Sequence, residues 1–204
     1  MVPTDLQTQY DEAATWWQRT IYRLGYRHAY EELMPRALQN ISASHVADIG
    51  TGTGDLAASY CIRLGAPQRL TLVDGSERML DAARTNLRHI AQRIDTTHAL
   101  LGDPIDICFD LVLCAHLIEH LPDSNQGMRD LGDLISPGGH LLLIVSRPHW
   151  CNWIIWLKWR HRWFSRTQIA TMARSADLIL IEQFDLHSGP PSRTSFGYLL
   201  RKPT

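Results

Sequence analysis

The chain has 204 residues, 45% of them hydrophobic and 20% charged, a soluble globular composition long enough for one domain with its own core. Its net charge of -1 excludes recruitment of nucleic acid by an overall field, and its longest purely apolar run, in HLLLIVSRP, is far short of the roughly 20 residues of a membrane-spanning helix. The four cysteines, Cys61, Cys108, Cys114 and Cys151, form no C-x-x-C pair, and the amino-terminal MVPTDLQTQYDEAATWW lacks the basic-then-apolar layout of a secretory signal, so a reduced, cytoplasmic protein is expected.

In chain order, WWQRTIYRLGYRHAYEELMPRAL reads as an aromatic-rich helix broken by Pro35, packing over one end of the sheet that the later strands form. A strand HVADIG (45–50) leads into a helix opening at Gly54-Asp55, and a second strand RLTLVDG (69–75) comes next. In SERMLDAARTNLRHIAQRI, the residues Met79, Leu80, Ala83, Leu87, Ile90, Ala91 and Ile94 recur at helical spacing. Further strands are expected at THALLGD (97–103), FDLVLCA (109–115) and HLLLIVS (140–146), and crossover helices make these five strands parallel. Beyond residue 165 come a helix in SRTQIATMARSA, a strand LILIEQFDLH, a turn at Gly189-Pro190-Pro191 and a strand SFGYLLRK. So short a join cannot hold a parallel crossover, so these last two strands pair antiparallel. The expected domain spans 1–204, with a helical cap (1–40), a core (41–147), a Trp-rich segment (148–166) and a closing helix and hairpin (167–204).

VADIGTGTGD sets Gly50, Gly52 and Gly54 directly after the first strand, where a tight turn brings backbone N–H groups against a ligand. The spacing is G-x-G-x-G, with Asp55 at the position where a dinucleotide fingerprint has its third glycine. Asp48 and Asp55 disfavour a pyrophosphate and suit a cationic ligand. Asp74 closes the second strand 20 residues past Gly54, where a carboxylate accepts both hydrogen bonds of a ribose diol, and Gly102-Asp103 closes the third within reach of an adenine edge.

These residues, together with TLVDGSERML, LLGDP, FDLVLCAHLIEHLPD and LISPGGHLLLIVSRP, resemble the class I S-adenosylmethionine-dependent methyltransferases, and GTGTGD is similar to the quinone-biosynthesis members. The resemblance implies an α/β, Rossmann-like, doubly wound seven-stranded sheet, mostly parallel, with a reversed strand in a C-terminal hairpin. It implies Asp48 and the Gly50, Thr51, Gly52, Gly54 turn near the methionine end of the cofactor, Asp74 on the ribose and Asp103 by the adenine, with Gly75, Met79, Gly102 and Cys114 along the same path. S-adenosylmethionine is the implied cofactor and S-adenosylhomocysteine its product.

His116, Glu119 and His120 spell H-x-x-E-H, the box of an inverted zinc peptidase. Zinc needs the two histidines on a sustained helix, whereas here the box comes after a buried strand and meets Leu121-Pro122 at once, so no metal is expected. A zinc-dependent hydrolase and a cofactor-binding protein of this fold that transfers nothing are the alternatives. Glu119 and His120 read as structural. If the acceptor is a hydroxyl, a base must take its proton, and His116, then His149, are the candidates, each also readable as a surface or capping histidine.

PHWCNWIIWLKWRHRWFSR carries five of the seven tryptophans, and from Asp133 to Asp177 no acidic residue intervenes. The segment reads as a lid over the substrate, a surface touching anionic lipid, or a dimer contact; apolar residues around most of the helical circumference favour the lid. Trp16, Trp17, Tyr22, Tyr26, Trp150, Trp153 and Trp156 then line a flat hydrophobic acceptor, and Arg147 pairs with an anionic group on it or simply faces solvent. Strand four is followed by CAHL rather than an Asn/Asp-Pro-Pro-aromatic box, which argues for a small molecule and against a nucleic acid. The expected activity is methyl transfer to oxygen, nitrogen or carbon of a small hydrophobic or aromatic acceptor, in natural-product or quinone biosynthesis, with the oligomeric state open.

Overall fold

The computed structural model describes residues 25–148 and 162–204. Trp16, Trp17, Tyr22, His149, Trp150, Trp153 and Trp156 lie outside the described residues.

The elements in order are α1 (Tyr26–Leu38), β1 (His45–Ile49), α2 (Asp55–Leu64), β2 (Arg69–Asp74), α3 (Glu77–Leu87), β3 (Ile94–His98), β4 (Phe109–Ala115), a 3-10 turn (Ile118–His120), α4 (Ser124–Asp133), β5 (Ile135–Ser146), α5 (Arg166–Ser175), β6 (Ile179–Asp185), a one-turn α6 (Pro191–Thr194) and β7 (Ser195–Arg201). The seven strands form one sheet in the order β3-β2-β1-β4-β5-β7-β6. β1 to β5 pair in parallel, and β7 runs antiparallel between β5 and β6. The order reverses at β1 and β4, so their carboxyl ends flank the crevice where sheets of this kind bind ligands.

The inner strands β1, β2, β4, β5 and β7 are buried on both faces, so their sequences are largely apolar runs whose alternate residues serve two cores. Val46, Leu111, Leu113, Leu142 and Ile144 pack with α1, α2 and α3. Ala47, Val112, Cys114, Leu141 and Leu143 pack with α4 and α5 on the other side. The helices begin where side chains satisfy their first amides: Ser76 accepts from Met79 N–H at α3, Asp123 from Asn125 and Gln126 at α4, and Ser165 with Gln168 closes a capping box at α5. α2 has no such side-chain cap and begins on Gly54 in left-handed geometry.

Three expectations are corrected. Pro35 does not break α1, which runs through it to Leu38, because Ala29, Tyr30, Leu33, Met34, Ala37 and Leu38 bury one continuous face while Pro35 sits half-exposed. α3 stops at Leu87 instead of continuing to Ile94, and the Ile90 and Ala91 amides both return to the Leu87 carbonyl. The third strand is accordingly IDTTH (94–98), not THALLGD, and it pairs with all but the first residue of β2.

Candidate active site

The loop between β1 and α2 holds Gly50, Gly52 and Gly54 at φ 68°, 52° and 81°. A side chain on Gly52 would meet nothing within 4 Å, so this part of the loop presents bare backbone to open space, as close ligand approach requires. Gly54 instead faces α3, where an added Cβ would lie 3.1 Å from that of Ala83. The turn is pinned from β2 and below: Gly50 and Thr51 amides both donate to the Val73 carbonyl, at 2.8 and 3.0 Å.

Asp48 lies under the loop, 1% exposed, with Oδ2 accepting from Thr51 Oγ1 at 2.8 Å and from the Ala57 amide at 3.2 Å. Burial pushes its carboxyl up to about 7, against the pull of those two hydrogen bonds, and the neighbouring Asp74 and Asp55 push the same way. Asp74, at the end of β2, splits its two oxygens between the Gly52 amide (2.8 Å) and the Ser76 amide (2.9 Å). It therefore joins the glycine loop to the start of α3 while its half-buried carboxylate stays at the crevice. A Cβ on Gly75 beside it would meet Leu100 Cδ2 at 2.5 Å, the tip of an exposed side chain that can swing aside. Asp103 is exposed and its Oδ2 accepts the Leu100 amide at 2.7 Å, closing the turn after β3. Thr51 and Met79 are buried against this region, Gly102 takes φ 99° in the same turn, and the Cys114 thiol is sealed in the core beneath, held well above its ordinary range by burial.

A second group meets the first across β4. His116 comes just after that strand at φ 54°, rare for a residue with a side chain, and its amide still pairs with Ile144. Its Nδ1 is 2.8 Å from Glu119 Oε1, and its Nε2 is 3.5 Å from Ser195 Oγ on β7. Tyr26 of α1 stands edge-on to the imidazole at 5.5 Å, with the Thr194 and Ser195 side chains near its hydroxyl. Leu117, the residue after His116, lies against Gly50 of the glycine loop.

Arg147 is committed at the same end of the sheet: Nε donates to the Arg193 carbonyl at 2.8 Å, Asp185 is 3.4 Å away, and the guanidinium lies 4.6 Å from the Phe196 ring centre. Of the H-x-x-E-H box only Glu119 and His120 lie in the single 3-10 turn, which Leu121 leaves in extended geometry, and among the described residues no three His, Cys, Asp or Glu side chains group as metal ligands. Sequence reading assigned Glu119 a structural part without its imidazole partner, and it missed Ser146, Thr194 and Ser195. No local signal marks them, since Ser195 reaches His116 only through the pairing of β7 with β5.

Residues 47–141 match the family model of a methyltransferase domain. The sheet order and the glycine loop agree with this match, and the region resembles the class I S-adenosylmethionine-dependent methyltransferases, quinone-biosynthesis members included. The chain is 29% identical over 153 residues to a ubiquinone biosynthesis O-methyltransferase of Aromatoleum aromaticum, covering 68% of this chain and 60% of that protein. It is 34% identical over 110 residues to the demethylmenaquinone methyltransferase of Deinococcus radiodurans, covering 52% and 45%. The chain thus spans about half the length of the curated relatives it matches. In fold it is similar to magnesium protoporphyrin IX methyltransferase from Synechocystis (TM-score 0.78, 14% identity, 98% and 99% covered). No helix among the described residues is long and apolar enough to cross a membrane.

Proposed function

We propose that the protein transfers the methyl group of S-adenosylmethionine to a small hydrophobic or aromatic acceptor and releases S-adenosylhomocysteine. One observation carries this reading: Asp74 ties the Gly52 and Ser76 amides together at the β1–β2 crevice and keeps its carboxylate at the rim. A ribose diol placed there meets a fixed acceptor, and the bare backbone at Gly52 leaves room for the rest of the cofactor. The carboxylates of Asp74 and Asp55 around the loop favour a ligand carrying positive charge, which S-adenosylmethionine brings as its sulfonium together with an activated methyl group. The curated relatives support the class of reaction, and a small molecule fits the half-buried aromatic Tyr26 beside His116.

What the chain itself supplies is position and dryness. Asp48 and Val73 fix the loop from below, Leu117 covers Gly50, and α1 closes the acceptor side through Tyr26. His116 is the candidate base and Arg147 a candidate anion partner at the acceptor's edge; the Trp-rich segment is the candidate lid, and the acceptor's place in natural-product or quinone biosynthesis rests on the relatives. Calorimetry with S-adenosylmethionine, followed by an acceptor screen reading S-adenosylhomocysteine release, tests the reading. Binding without release from any acceptor, or no binding, would overturn it.

A further inference from the structure

We propose that the atom methylated at this site is a hydroxyl oxygen and that Glu119 is the positioning residue that makes His116 its base. The inference rests on the methyl-transfer reading of this site.

The Glu119 side chain is 2% exposed and three donors converge on it: Nδ1 of His116 at 2.8 Å, Ser146 N–H at 3.2 Å and Ser146 Oγ at 2.8 Å. A carboxylate so placed is an acceptor only, so Nδ1 carries the proton and Nε2 keeps its lone pair. Burial alone would raise the Glu119 carboxyl, yet the neighbouring His116 and His120 and the hydrogen bonds from His116 and Ser146 bring it below its ordinary value. The other titratable groups around the pair are Tyr26 and Tyr30 of α1, Cys114 of β4, and His120 in the same turn. Arg162 donates its backbone amide to the Glu119 carbonyl and turns its guanidinium to Pro122 and Ser124 instead.

Two features assign the pair to proton removal. The imidazole is 21% exposed at the crevice end while Ser195, against its Nε2, is fully buried, so the histidine and not the serine is what a small molecule reaches. Moreover, a buried ionised carboxylate is costly to keep in a fold, and beside an imidazole it favours the state in which that imidazole has taken up a proton. An amine attacks a methyl carbon with its own lone pair and sheds its proton afterwards. A hydroxyl is a poor nucleophile until its proton leaves, so unlike an amine it needs a base at the moment of attack. As the acceptor oxygen forms its bond to the methyl carbon, the hydroxyl proton passes to Nε2 and the C–S electron pair stays on sulfur. The imidazolium then rests against Glu119 until water takes the proton.

The test sets phenols, anilines and 1,3-dicarbonyl compounds against the chain with S-adenosylmethionine, with products identified by mass and fragmentation. Only O-methyl products are expected. Glu119→Gln and His116→Gln should each lower kcat by on the order of 100-fold with S-adenosylmethionine affinity retained, and the deficit should shrink for more acidic phenols or at higher pH. N- or C-methyl products, or an undiminished Glu119→Gln chain, would overturn the proposal. Nitrogen-detected NMR of the wild-type histidines needs neither acceptor nor variant: it should find His116 protonated on Nδ1 and bare on Nε2, and the opposite tautomer overturns the proposal by itself. Calorimetric failure to bind S-adenosylmethionine, with that tautomer in place, would instead sink the methyl-transfer reading.

Discussion

Gly54 and Ala83 meet where the glycine loop turns into α2: a Cβ on Gly54 would lie 3.1 Å from the Ala83 Cβ and 3.2 Å from its Cα. Backbone and a methyl group in a packed core cannot swing aside as a long side chain can, and φ of 81° adds strain. Gly54→Ala should therefore destabilise the chain by roughly 1–3 kcal/mol in urea denaturation. Gly52→Ala has open space and should cost about 1 kcal/mol, from its φ alone, while weakening cofactor binding more than stability. Equal loss of stability in the two variants would mean that the contact with Ala83 carries no cost.

Asp74→Ala should weaken S-adenosylmethionine binding by about 1–3 kcal/mol, the scale of lost charge-assisted hydrogen bonds. Part of the loss comes from the loop itself, because the Gly52 and Ser76 amides both lose their acceptor. Asp74→Asn, which keeps an acceptor oxygen for one of them, should bind between the two. Calorimetry on folded variants checks the order, and wild-type affinity in the alanine variant would remove Asp74 from the site.

Asp48 makes folding depend on pH in a direction opposite to that of a salt-bridged acid. Its folded value of about 7 stands above the ordinary 3.8, so between those limits the folded chain holds a proton that the unfolded chain has lost. Stability from this group is present below pH 4 and declines as pH rises toward 7, with a slope of up to about 1.4 kcal/mol per pH unit. Asp48→Asn keeps an oxygen for Thr51 and Ala57 and should remove the decline, making the ligand-free variant more stable than wild type at pH 8 and little different at pH 4. Denaturation midpoints of both chains across that range decide it; parallel curves would show Asp48 already ionised throughout.

Tyr198 is buried in the middle of β7, and its hydroxyl has no hydrogen-bond partner among the described residues. Burial holds its hydroxyl near 12, so it stays protonated at any working pH. Tyr198→Phe discards an unsatisfied polar atom and keeps the ring, so a gain on the order of 1 kcal/mol is expected. A loss of stability of that size would reveal a partner, such as a buried water.

Where the chain spells its structure in local patterns, the sequence was enough. FDLVLCA is β4 residue for residue, because a strand covered on both faces is an unbroken apolar run. IDTTH was hidden for the converse reason: as the edge strand it buries little, and its first residue continued the apolar spacing of the preceding helix. Asp74 and the glycine loop were legible because both come after strands at fixed intervals. The Glu119–His116 pairing was not, since it depends on a left-handed residue at 116 and on a serine from β5. Nor was the Tyr26 contact with Thr194 and Ser195, which no spacing along the chain records.

The antiparallel seat of β7 has a consequence for the order in which the protein becomes competent. The loop, Asp48 and Asp74 lie within the first 74 residues, whereas Ser195, 79 residues past His116, arrives on the last strand. A chain made from its amino end can thus assemble the parallel strands around the cofactor crevice before the acceptor wall exists. Ribosome-stalled chains ending past β5 should then capture S-adenosylmethionine yet hold no acceptor; capture that begins only once β7 has emerged would show the two halves to be one cooperative unit. A nascent chain already loaded with its methyl donor would be stabilised by that ligand while its final hairpin is still being added.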